Sequence, residues 1–225
     1  MTVLDSTLQD SAMLGRQRRL GGVAGLAFFA LYFFGVGILA GPINQTDSLA
    51  KVQRTFADQA DNIDVGCALL LLSAPLLLLC AGALRDAAAG PLERGLAALI
   101  VPTAVAAAAL TLAGAAVMGG TSFLAESATV DGRTAAFAHS AAEAMLFYAI
   151  TLFGTLALCT AASSARRLPK WYRRTATALG LGMIVGSVGS PLLRELGLLA
   201  GLSSYLFFLV TGVMLLLRER APQTT

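Results

Sequence analysis

The sequence predicts an all-α, polytopic transmembrane helix bundle of six spans, with N and C termini cytoplasmic and an extracytoplasmic amphipathic helix before span two. Three observations predict it. Hydrophobic residues fill 56% of the 225 positions and charged residues only 13%, at a mean hydropathy of +0.74, beyond the range of an ordinary water-soluble domain. Six continuous apolar runs each approach the ~20 residues a helix needs to cross ~30 Å of hydrocarbon. The connections between those runs alternate between arginine-rich and acid-rich.

The first run covers residues 20–41, behind Arg16, Arg18 and Arg19 and a polar tail expected to be disordered over residues 1–19. A cleavable signal peptide has an apolar region of about 7 to 15 residues before a small-residue cleavage site. This run is longer and carries Phe28, Phe29, Tyr32, Phe33 and Phe34, so it reads as a retained anchor helix. The other runs fall at about 64–84, 95–118, 141–164, 175–193 and 198–217, with a short tail at 218–225. Backbone polar groups in lipid must bond within their own segment, which selects helices. The runs lack the ~10-residue alternation of a membrane β-barrel.

Between spans one and two, residues 46–63 form an amphipathic helix. Asp47, Lys51, Arg54, Asp58 and Asp61 share one face; Leu49, Val52, Phe56, Ala60 and Ile63 share the other, with Thr46 as the expected N-cap. It can lie on the membrane, cap the bundle, or extend span two. Within the spans, the pairs Gly21 and Gly25, Gly37 and Gly41, and Gly182 and Gly186 are spaced for close helix packing, and Pro75 and Pro102 mark kinks.

Charge orients the bundle, because Lys and Arg near span ends stay on the cytoplasmic side. Arg16, Arg18, Arg19, Arg85, Arg94, Arg166, Arg167, Lys170, Arg173, Arg174, Arg218 and Arg220, 12 of the 16 basic residues, fall on one side. Eight of the 13 acidic residues fall on the other, which places both tails inside. The net charge of +3 belongs to headgroup contacts at helix ends, so nucleic acid is not an expected partner.

Few residues offer chemistry. The single histidine, His139, precedes Glu143 by one helical turn near the outer end of span four, where a carboxylate can orient an imidazole. Two such groups are too few for a metal site, and one histidine cannot hold a bis-histidine haem. Asp58, Asp61 and Asp64 lead into span two, and Arg194 and Glu195 occupy the outer turn between spans five and six. Cys67, Cys80 and Cys159 all lie in apolar runs and form no CxxC pair. No cofactor is expected. Ionisable groups deep in spans mark proton and ion pathways, and none lies near the centre of a predicted span.

On the inner side, Arg166, Arg167, Lys170, Trp171, Tyr172, Arg173 and Arg174 combine basic and aromatic side chains suited to anionic lipid headgroups. The order His139, an apolar span, then Arg167-Leu168-Pro169-Lys170-Trp171 and a span with Gly180, Gly182 and Gly186 resembles a bacterial family of six-helix integral membrane proteins catalogued as a domain of unknown function. The likeness runs over residues 20–217 and is strongest over 139–189. It implies a six-helix protein of a bacterial inner membrane and carries no activity with it.

The expectation is a non-enzymatic membrane protein that binds a lipid or a membrane partner, another membrane protein or a second copy, through the outer helix and an exposed loop from Gly119 to Ala138. Two alternatives stand beside it. One is a small permease for a neutral or amphipathic solute, with Ser73, Thr103 and Thr111 along a central path; the other is a membrane enzyme acting through His139 and Glu143.

Overall fold

A computed structural model describes residues 3–40, 43, 47–88, 94–126, 130–163, 168–190 and 194–217. The described residues form helices and no strand: α1 (Val3–Ala40), α2 (Leu49–Asp58), α3 (Ala60–Ala88), α4 (Arg94–Glu126), α5 (Gly132–Ser163), α6 (Lys170–Gly189) and α7 (Arg194–Leu217). The segment expected as a tail ahead of the first span is already helical from Val3. The segment from Gly119 to Ala138, expected as an exposed loop, belongs largely to the ends of α4 and α5. Pro75 and Pro102 lie inside α3 and α4, both exposed on the outside, where a ring without an N–H does not disturb inter-helix contacts.

Six long helices close a ring. α1 packs beside α3 and α7, and the circuit continues from α3 to α4, α5, α6 and back to α7. Neighbours run antiparallel. Gly25 of α1 approaches Gly212 of α7 and Cys80 of α3 at one end, while Leu39 of α1 lies against Gly66 of α3 at the other. α2 sits on the second end, against α4 and α5.

The middle of the ring is filled by rings of another kind. Phe28 and Tyr32 from α1, Phe153 from α5 and Phe208 from α7 meet with centroids 4.4 Å apart for Phe28 and Phe208, 5.0 Å for Phe153 and Phe208, and 5.5 Å for Tyr32 and Phe153. Edge-to-face pairs of this kind contribute beyond their buried area, and a membrane bundle depends on such dispersion contacts because lipid tails are as apolar as leucine. Ser73 and Thr111, expected along a central path, instead donate to Leu70 O at 2.7 Å and Ala107 O at 3.0 Å within their own helices.

Small residues set the closest approaches. A Cβ on Gly186 of α6 would lie 2.5 Å from Leu196 O and 2.7 Å from Ala200 N of α7, so only hydrogen fits there. Gly154 of α5 and Gly180 of α6 face each other in the same way. The spacing in the sequence thus serves internal packing at Gly21, Gly25, Gly182 and Gly186; Gly37 has open space beside it, and Gly41 lies outside the described residues.

Among the described residues, five helices are long and apolar enough to cross a membrane: Gly15–Leu39, Ala60–Ala88, Gly95–Ala125, Gly132–Ser163 and Glu195–Leu217. α6 is not among them. Its 20 residues start with Lys170, Arg173 and Arg174 and include four glycines, which lowers its hydropathy although it stands in the ring between two spans.

Candidate functional site

The end of the ring that carries α2 gathers most of the polar residues singled out in the sequence. Ser48 caps α2, its Oγ accepting from Lys51 N at 3.4 Å. Thr46, the expected cap, lies outside the described residues. Gln59, with φ −118° and ψ 20°, breaks the helix, so the predicted single helix 46–63 is two pieces: α2 and the first turn of α3.

α2 caps the bundle. Val52, Phe56, Ala60 and Ile63 are buried as the apolar face predicted, while Leu49 is 46% exposed. Gln53 Nε2 donates to Val130 O at 2.9 Å, tying α2 to the entrance of α5. A Cβ on Gly132 would lie 2.5 Å from Leu49 O, so the two backbones touch. On the outer face, Lys51 Nζ binds Asp47 Oδ1 at 2.7 Å. A shallow depression there is lined by Lys51, Arg54, Thr55 and Asp58.

Asp131 starts α5 beneath this cap. Its Oδ1 accepts from Thr134 N at 2.7 Å, and its C=O accepts from Ala135 N at 3.0 Å. Those bonds from Thr134, reinforced by the charge of Arg133, hold the exposed carboxyl below the ordinary value of 3.8. The sequence reading missed this residue. Its signal is there: an acidic residue directly before an apolar helical pattern, with Thr134 three positions on.

His139 lies two turns into α5, half-buried, with a buried Nδ1 that has no hydrogen-bond partner. Glu143, one turn further, is within electrostatic reach. The depression on α2 includes neither residue, and among the described residues no three His, Cys, Asp or Glu side chains converge as a metal set. Asp58 lies on α2 and Asp61 and Asp64 on α3, all exposed. Glu195 is exposed in the first turn of α7; the side chain of Arg194 lies outside the described residues.

At the opposite end the structure sorts the basic and aromatic segment by role. Arg166 and Arg167 lie outside the described residues. Lys170, Trp171 and Arg174 are exposed around the start of α6. Tyr172 corrects the expectation of headgroup contact: it is fully buried, and its hydroxyl shares a hydrogen bond of 2.9 Å with Thr211 Oγ1 of α7. The inward stripe Tyr172, Ala176, Gly180, Met183 explains why, since it follows the 3.6-residue period of the core face. Arg173 Nε donates to Ala161 O at 3.1 Å, satisfying a carbonyl in the last turn of α5. Leu168 is buried, so the segment is first a latch between α5, α6 and α7.

The chain matches no protein-family model, no curated protein and no solved structure. Its architecture by itself defines a class: an all-helical, multi-pass membrane protein.

Proposed function

We propose that this is a six-span protein of a bacterial inner membrane, with both termini cytoplasmic, that works by recognition: its α2 cap and the adjoining ends of α4 and α5 bind a lipid or a membrane partner. The observation that carries the reading is the contrast between centre and cap. The centre of the ring is occupied by Phe28, Tyr32, Phe153 and Phe208, whereas the cap holds charged side chains outward on a helix fixed through Gln53, Val52 and Phe56. A rigid, charged surface on a filled bundle suits binding. The depression on α2 includes neither His139 nor Glu143, and Ser73 and Thr111 bond within their own helices, so the cap carries more of the support than the catalytic or solute-path readings.

The sixth span is α6. It runs antiparallel to both neighbours, from the level of Ala161 at Arg173 to the level of Leu196 at Gly186, and its ~30 Å length equals the hydrocarbon thickness. Crossing by α6 puts both chain ends on the arginine-rich side. That agrees with the positive-inside distribution. The resemblance to a six-helix bacterial family is consistent with this topology.

Photocrosslinking tests the recognition reading. A photoreactive side chain at Ala57, on the exposed side of α2, should capture one defined lipid or protein in native membranes, and one at the lipid-facing Leu71 should not capture the same species. Identical capture at both positions, or none at Ala57, would contradict it.

A further inference from the structure

At the α2 end, two neighbouring helices each bury a polar side-chain atom that makes no hydrogen bond. Ser122 of α4 is fully buried and its Oγ has no partner; on α5 the Nδ1 edge of His139 is buried in the same state. Among the described residues they are the only such side-chain atoms on α4 and α5. The adjacent Thr121 donates to Val117 O at 2.8 Å, and Thr111, Thr160 and Ser163 likewise donate to a carbonyl one turn back in their own helices. Ser122 departs from that pattern, so its hydroxyl is directed off its own backbone. Buried polar atoms are almost always paired with protein or with ordered water.

Both side chains face inward. Ser122 extends the buried stripe Thr111, Ala115, Met118, and His139 falls on the stripe Ala135, Ala142, Ala149, Phe153 that leads down to the aromatic centre. Gly114 sets the register: a Cβ there would lie 3.2 Å from Ala142 O and 3.6 Å from Met145 Cβ, so these residues share a level. Counting outward along the two antiparallel helices at about 1.5 Å per residue puts Met118 level with His139, and Ser122 about 3–8 Å further out. A water bonded to both atoms at about 2.8–3.0 Å bridges up to about 6 Å.

Small neighbours leave it room. Ala125 on α4 and Ala135, Ala138 and Ala142 on α5 are all buried and carry only a methyl group. α2 lies over both helices and closes this end with Val52 and Phe56, while the half-buried ring of His139 gives the site an edge toward the surface. A hydroxyl donates or accepts, and an imidazole nitrogen does either according to its tautomer, so two such groups supply the least a buried water needs.

We propose that Ser122 Oγ and His139 Nδ1 hold a buried water beneath the cap, a hydration site that joins α4 to α5 across the interior and gives the single histidine its partner. The site goes beyond the recognition reading and does not depend on what the outer face of α2 binds.

X-ray footprinting tests it. The full chain in nanodiscs is exposed to a synchrotron pulse, which converts bound water into hydroxyl radicals that oxidise the nearest side chains. Met118, Met183 and Met214 are each no more than 2% exposed, so burial alone predicts equally slow oxidation of all three. Expected instead is oxidation of Met118 several-fold faster than of Met183 and Met214, falling toward their rate in Ser122→Ala and in His139→Leu. Ser122→Ala removes a single oxygen and decides the matter if His139→Leu does not fold. Oxidation of Met118 as slow as that of the other two would overturn the proposal. So would fast oxidation that either folded variant leaves unchanged, the sign of an end that opens to bulk water.

Discussion

Replacing Phe56 by alanine should release the cap and leave the ring intact. Phe56 is fully buried, and α2, at ten residues, is too short to hold a helix by itself. A buried phenylalanine covers about 150–250 Å², and at about 25 cal/mol per Å² its removal forfeits roughly 4–6 kcal/mol, in line with the 3–5 kcal/mol that Phe→Ala changes cost in cores. Among the contacts left to α2 are buried Val52, the backbone contact of Leu49 with Gly132, the Gln53 bond of about 1 kcal/mol and the Ser48 cap of about 1 kcal/mol. They do not offset that loss. Amide exchange over residues 49–58 should therefore accelerate by roughly two to four orders of magnitude, at about 1.4 kcal/mol per decade, while residues 149–157 of α5 keep their protection. Unchanged protection in α2 would refute the docking, and a loss spread over α1, α5 and α7 would refute the independence of cap and ring.

Four further outcomes are expected. Tyr32→Phe removes a buried hydroxyl that has no hydrogen-bond partner, so thermal stability in detergent should hold or rise; a fall of several degrees would mean the hydroxyl is satisfied. Gly186→Ala drives a methyl into the α7 backbone and should lower the melting temperature markedly, whereas Gly37→Ala, with open space beside it, should not; equal effects would contradict the α6–α7 contact. Because the Asp131 carboxyl is held below its ordinary value in the folded chain, its contribution is fully present above that value and lost as pH falls through the lowered one. Exchange at Thr134 should rise in acid for the natural chain and lose that extra dependence in Asp131→Asn. Cysteines introduced at Ala57 and Arg174 should react with an impermeant reagent from opposite sides of the membrane; labelling of both from one side would remove the six-span topology.

The all-helical class and the presence of several helices long and apolar enough to cross were legible because a bilayer imposes length and apolarity on any sequence that crosses it. α2 was legible because Val52 and Phe56 fall one turn apart opposite a charged face, yet its break at Gln59 was not, since no proline or glycine marks it. Tyr172 was misplaced because an aromatic beside Trp171 and two arginines looks interfacial until its period with Ala176, Gly180 and Met183 is followed. The meeting of Phe28, Tyr32, Phe153 and Phe208 depends on how three helices distant in sequence come around one ring, which no local pattern states. Leu49, assigned to the buried face, is 46% exposed, although its backbone lies against Gly132 at the start of α5.

Binding of a lipid or membrane partner by the α2 cap, as proposed, makes the bound species depend on the charged face of α2. Native mass spectrometry of the full chain extracted in mild detergent, beside a Lys51→Glu, Arg54→Glu variant with the same melting temperature, tests it most directly. The natural chain should retain a defined lipid or protein that the variant loses. A natural chain that flies bare and monodisperse, or a variant that keeps the same species in the same amount, would contradict it.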